Sequence, residues 1–492
     1  MPNRTGCDED RAGVRLATSR SLVLALAALT AIRLIVAATA PLAPDETYYW
    51  VWSNALAFGY FDHPPMVALW IKAGSALAGQ TALGVRLLGP LAAELASLML
   101  FDAARVLFPG TRTAVAAVVL LNATLLLGVG TVIMTPDSPL LFFWTATLWA
   151  MAHVAAGGSG RWWLAAGLFG GLALDSKYTA LFLWIGIGLW VLLVPAVRPW
   201  LRRWQPWAAC ATGALLFAPV LAWNAAHGWA GFVRQGGRVE DWRPARAAGF
   251  LAELLGGQIG LATPLVFALC MGGLVAAMRH AWRSRDPAWS LLAALSLPPV
   301  LVFVQHAFGD RVQGNWPAVI YPALAIAAAA MPAPRRWWIG AAALGFVFTG
   351  LAYLQAATGL IPLPPRFDPV AVRLAGWDSL AEQVERLRTE SDAAFVAADG
   401  YATASELAWR MPAGTLIAGA EERWRLTTLA LAPVGGETGL LVRDASRTDP
   451  PDPAIWRDAM RIGSAFRTGA PGSVFAVYRV TARGSTVALP HR

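Results

Sequence analysis

Residues 21–41, SLVLALAALTAIRLIVAATAP, are followed by PDETYYWVWS at 44–53 and GYFDHPP at 59–65. The first segment has the length and apolarity of a bilayer span, which takes about 20 residues. The second and third gather Asp45, Glu46, Asp62 and His63 among aromatic rings directly after that span. Charge left in hydrocarbon costs roughly 3 kcal/mol or more, so these groups are expected at the membrane surface, in contact with water or neutralised. Pro44 ends or bends the first helix and holds the two acids there. Pro64 and Pro65 force Asp62 and His63 out of helical geometry into a rigid loop. A polar loop on a helical scaffold reads as half of an active site.

The rest of the chain supports a membrane scaffold. Hydrophobic residues make up 57% of 492 and charged residues 14%, which excludes a soluble domain of ordinary makeup. The net charge of +9 comes from Arg clusters between apolar runs and not from one basic stripe, so it reads as topology signal and not as a nucleic-acid surface. Cys7, Cys210 and Cys270 have no metal-ligand spacing and imply no disulfide framework. Arg4, Arg11, Arg15 and Arg20 precede the first span, which reads as a retained helix with its N-terminus inside.

Marking runs of membrane length predicts eleven spans, near 21–41, 82–108, 113–133, 138–156, 162–175, 179–197, 207–224, 249–278, 288–305, 317–332 and 337–356. The run from Met66 to Leu77 is too short and is expected along the interface. Even-numbered connections carry Arg112, Arg161, Arg198, Arg202, Arg203, Arg279, Arg283, Arg285, Arg335 and Arg336, so they are expected in the cytoplasm. The outer side then receives residues 45–63, 135–137, 175–177, 227–246 and 306–316. The expected domains are a cytoplasmic tail (1–20), a transmembrane domain (21–356) and an extracytoplasmic α/β domain (357–492). In the last, hydrophobic patterning predicts helices at 378–390 and 401–409 and strands at 394–398, 439–443 and 473–480.

Each polar motif also has a plainer reading. Tyr48, Tyr49, Trp50 and Trp52 could form an interfacial aromatic belt on a helix capped by two acids. Asp137, just after Pro136, could simply complement a helix dipole. Lys177 stands out because Lys72 is the only other lysine in the chain. A compact ammonium there could bind a phosphate as a point charge, or pair internally with Asp175. Arg311, between His306 and Asn315-Trp316-Pro317, adds a cation to the same expected face.

Together, Pro-Asp-Glu-x-Tyr-Tyr-Trp at 44–50, Gly-Tyr-Phe-Asp-His-Pro-Pro at 59–65, Thr-Pro-Asp at 135–137, Ser-Lys-Tyr-Thr at 176–179 and Asn-Trp-Pro at 315–317 resemble the GT-C superfamily of polytopic glycosyltransferases. Within it they are similar to the family 39-like bacterial enzymes, related to protein O-mannosyltransferases and to the lipid A aminoarabinose transferase. The resemblance implies transfer of a sugar from a polyprenyl-phosphate donor to a lipid, glycan or protein acceptor at the outer face of the bacterial inner membrane, with inversion. It implies Asp45 as general base with Glu46 beside it, and Asp137 as a second acid of the site. Lys177, His63 and Asp62 match positions around the carrier phosphate, and Arg311 is available as a further cation. The aminoarabinose transferases carry Glu and Lys where this chain has Asp62 and His63. No nucleotide or redox cofactor is implied, with a divalent metal near the phosphate as an option. A transporter or flippase of lipid-linked sugars is the competing expectation, although it would favour broken helices at mid-membrane and related halves.

Overall fold

The computed structural model describes residues 4–236, 242–364, 367–470 and 472–492; within the expected outer connection 227–246, positions 237–241 lie outside the described residues, as do the side chains of Arg4, Arg11 and Arg15. Two compact units form. The first comprises Met1–Val36, Asp62–Met66 and Leu88–Ala352, and the second Ala37–Phe61, Val67–Leu87 and Tyr353–Arg492.

The first unit is helical. Among the described residues, six helices of the chain are long and apolar enough to cross a membrane: Arg20–Thr39, Ala82–Leu107, Trp204–Ala226, Pro264–Arg283, Pro287–His306 and Arg335–Thr358. Met66–Ala78, Thr111–Asn122, Tyr178–Leu193 and Trp316–Ala329 are apolar but shorter. The chain is thus a multi-helix membrane protein, and the expected count of eleven spans is not confirmed by these six long and four shorter apolar helices. The physical causes are local. The expected span 249–278 is two helices, Ala247–Ala262 and Pro264–Arg283, because Thr263, at φ 66°, breaks the ladder before a proline. The expected span 113–133 stops at Asn122, after which the Thr124 side chain caps a separate turn, Leu125–Gly128.

Small residues and hydrogen-bonded polar groups hold these helices together. A Cβ on Gly167 would fall 2.6 Å from the Ala209 Cα, so glycine allows Arg161–Leu174 to touch the backbone of Trp204–Ala226. Arg33, buried in the first helix, donates to Asn122 Oδ1 at 3.0 Å, and Asn122 Nδ2 donates to Ser97 Oγ at 2.9 Å. The buried charge is thereby hydrogen-bonded, which its burial requires.

The second unit combines the Pro44–Ser53 helix with a seven-stranded sheet of order β3-β7-β2-β1-β4-β6-β5. Its strands are β1 (Phe395–Ala398), β2 (Leu416–Gly419), β3 (Leu431–Ala432), β4 (Thr438–Asp444), β5 (Trp456–Phe466), β6 (Val474–Ala482) and β7 (Thr486–Ala488). Central β1 is parallel to β2 and β4, and the outer pairings are antiparallel. Phe395, Ala418, Leu441, Trp456 and Val480 form the core of one face. On helix Trp377–Glu390 the buried residues are Trp377, Leu380, Ala381 and Val384, the i, i+3, i+4, i+7 stripe of an amphipathic helix. Helix Tyr401–Arg410 follows β1 and packs on Pro44–Ser53 through Tyr401 against Tyr48 and Trp409 against Trp50, with ring centroids 4.5 and 4.9 Å apart.

Candidate active site

In the second unit, Pro44 occupies the first turn of its helix, and Asp45 follows it, exposed at the N-terminal end. The helix dipole favours a carboxylate there. Tyr401 Oη donates to Asp45 Oδ1 at 3.0 Å. Glu46 points the other way. It is fully buried, accepts the backbone N–H of Ala43 at 2.9 Å, and takes Arg86 Nε and Nη2 on its two oxygens at 2.7 and 2.6 Å. Arg86 also donates to the carbonyls of Ala37, Ala40 and Pro41, the chain leaving the first helix. The four aromatics do not form an exposed belt. Tyr48, Trp50 and Trp52 are at most 2% exposed, and Trp52 stacks on Tyr60 with centroids 4.3 Å apart.

In the first unit, three motifs far apart in sequence meet. Asp137 opens the helix Asp137–Ala155, and its Oδ1 accepts Lys177 Nζ at 2.7 Å. Its Oδ2 accepts Asn315 Nδ2 at 2.7 Å. The Lys177 ammonium lies 5.9 Å from the centroid of the Trp316 ring. Lys177 therefore pairs with Asp137 and not with Asp175. Among the described residues, the Asp175 Oδ1 is buried without a hydrogen-bond partner.

The Asp62–Pro65 loop is anchored beside this group, since Met66 N–H donates to the carbonyl of Asp175 at 3.0 Å. Gln235 Nε2 donates to the Asp62 carbonyl at 2.6 Å, and Arg234 Nε lies 3.4 Å from Asp62 Oδ1. His63 is half-buried next to the two buried prolines. Arg311 stands apart, largely exposed and ion-paired to Glu253 at 2.8 Å. Among the described residues, no group of three or more His, Cys, Asp and Glu side chains could hold a metal ion.

Sequence reasoning missed Arg86, Arg234, Gln235 and Tyr401. An Arg within an otherwise apolar run was a readable signal for Arg86, because an ionisable group there needs a partner. Nothing local marked Tyr401, which is 356 positions from Asp45.

A model of the dolichyl-phosphate-mannose-protein mannosyltransferase family matches residues 62–223. The chain is 28% identical over 377 residues to a lipid A galacturonosyltransferase of Rhizobium johnstonii, covering 74% of this chain and 76% of that protein. It is 28% identical over 310 residues to an undecaprenyl phosphate-alpha-4-amino-4-deoxy-L-arabinose arabinosyl transferase of Pseudomonas aeruginosa, covering 57% of this chain and 53% of that protein. The chain thus matches about half the length of this second relative. The fold superposes on that of ArnT from Cupriavidus metallidurans with a TM-score of 0.62 at 16% identity, over 94% of this chain and 98% of that one. The chain therefore has the ArnT fold, with several membrane-length apolar helices and a C-terminal sheet region. The matched family and both relatives are sugar transferases, which the chain resembles.

Proposed function

We propose that this protein moves a sugar from a polyprenyl-phosphate carrier to lipid A or a glycolipid of that class, at the outer face of the inner membrane and with inversion. A galacturonosyltransferase and an aminoarabinosyl transferase as relatives support a uronic acid or amino-pentose donor. Both relatives are transferases, which removes support from the flippase alternative. The positive-inside pattern supports the orientation, with 1–20 in the cytoplasm, 21–356 in the membrane and 357–492 outside.

The observation that carries the reading is the Lys177 ammonium. It makes one hydrogen bond among the described residues, to Asp137, and so keeps two N–H donors for a phosphate. In the proposed reaction the acceptor hydroxyl attacks the anomeric carbon opposite the carrier. Its proton passes to the Asp45 carboxylate, and the bond from sugar to phosphate breaks with its electrons going to the phosphate. Lys177 meets that charge, with Asp137 and Asn315 fixing its position. Asp62 and His63 line the carrier side, and Arg311 exchanges Glu253 for phosphate as an outer cation. Glu46 takes a holding role beside Asp45, because Arg86 occupies both its oxygens.

Purified protein supplied with radiolabelled polyprenyl-phosphate galacturonic acid or aminoarabinose, and with lipid A, tests this. Label in lipid A is the expected result, falling by about two to four orders of magnitude in Asp45→Asn while donor binding persists. No transfer to any lipid, glycan or protein fraction would overturn the reading.

A further inference from the structure

We infer that Tyr401, carried on the sheet domain, is a positioning residue for the Asp45 carboxylate, with Arg423 clamping its ring. This rests on the proposed role of Asp45 as base. Tyr401 begins the helix Tyr401–Arg410, directly after β1 and the extended Gly400, and this places its phenol against the N-terminal end of Pro44–Ser53. The hydroxyl donates to Asp45 Oδ1 at 3.0 Å.

The ring itself is held by its neighbours. The Tyr48 ring centroid is 4.5 Å away, and the Arg423 guanidinium lies 4.3 Å from the Tyr401 centroid. Arg423 is fixed in turn by Glu421 at 2.6 Å, by the Tyr48 hydroxyl at 3.3 Å, and over the ring of Phe61 at 5.3 Å. A cation over a phenol ring withdraws electron density and makes the O–H a better donor. The device therefore fixes the rotation of the Asp45 carboxylate. Among the charged groups nearby, Glu46 is paired with Arg86, and Arg423 with Glu421. On this view the sheet domain serves the chemical step, with no need for it to touch the donor.

Tyr401→Phe keeps the ring and its contacts and removes only the hydroxyl. Transfer kcat should fall about tenfold, the order expected on losing a hydrogen bond to a charged group. The donor KM should stay unchanged. In an Asp45→Asn background, Tyr401→Phe should cost nothing further, since both changes act on one group.

A wild-type kcat in Tyr401→Phe would overturn the inference while leaving the transferase reading standing. So would a full additional loss in the Asp45→Asn background. Failure of the wild-type protein to transfer sugar would instead sink the reading on which the inference rests. Tyr401→Ala, which also removes the ring, should lose both activity and folded yield, and comparison with Tyr401→Phe separates positioning from packing.

Discussion

Arg86–Glu46 in the second unit and Lys177–Asp137 in the first are both short ion pairs, at 2.6 and 2.7 Å, the first fully buried and the second partly so. They differ in how far they are saturated. Arg86 uses its guanidinium fully, on the two Glu46 oxygens and on three backbone carbonyls. Those carbonyls close the chain where the first helix ends, and the pair has no capacity left for a ligand. Among the described residues, Lys177 instead makes one hydrogen bond, to a carboxylate that is itself part-exposed and shared with Asn315. A saturated pair fixes backbone, whereas an unsaturated one remains able to bind an anion. Sequence motif alone does not separate the two, since Glu46 and Asp137 both follow a proline at a helix start.

The comparison breaks most visibly at Arg86. Arg86→Ala leaves Glu46 buried and uncompensated, and should cost about 3–5 kcal/mol of stability. A collapse of folded yield and apparent Tm in detergent is the expected outcome. Arg86→Met combined with Glu46→Leu should be milder, because it removes both charges together. If Arg86→Ala folded normally and failed only in transfer, Arg86 would belong to the chemistry and the distinction would fall.

How much was legible in sequence follows the same division between local and distant causes. Apolar runs revealed the helical scaffold because bilayer length is a local constraint, yet Thr263–Pro264 split a run that looked continuous. In the sheet domain, helix Trp377–Glu390 and strands β1, β4 and β6 fall where apolar patterning places them. Edge strand β5 does not, because Arg457, Asp458 and Arg461 face solvent and its core contact is concentrated in Trp456 and Ala465. The rarity of lysine pointed to Lys177, but proximity in sequence favoured Asp175 as its partner over Asp137, 40 positions away. The Tyr401–Asp45 hydrogen bond, which depends on tertiary packing alone, left no trace.

Lys177 offers the middle-sized test. Lys177→Ala should lower donor affinity about 10- to 100-fold, the loss of one charge-assisted contact. Folded yield should stay near wild type, since Asp137 keeps Asn315 and some access to water. Lys177→Arg keeps the charge but changes its shape, and its affinity should fall between the two. Binding of labelled polyprenyl-phosphate sugar, measured beside yield, decides the matter. An unchanged affinity with reduced yield would make Lys177 a scaffold cation like Arg86.

A third pair, Glu406–Arg410 at 2.8 Å in the sheet domain, sharpens the comparison with the smallest effect. Glu406 is fully buried, and burial pushes its carboxyl up to about 7 despite the pull of Arg410. An unfolded glutamate titrates near about 4.3, so between these values the folded chain holds a proton that the unfolded chain has released. The contribution to stability is therefore fully present below about pH 4.3 and is lost as pH rises through 7. Glu406→Gln cannot ionise and should remove that dependence between pH 5 and 8. Asp399 and Glu421 are also raised by burial and tilt the wild-type curve the same way, so only the difference between wild type and variant isolates Glu406. Apparent Tm across that range should decline less in Glu406→Gln than in wild type. Parallel curves would mean that Arg410 keeps Glu406 ionised when folded, making this pair a scaffold of the same kind as Arg86–Glu46.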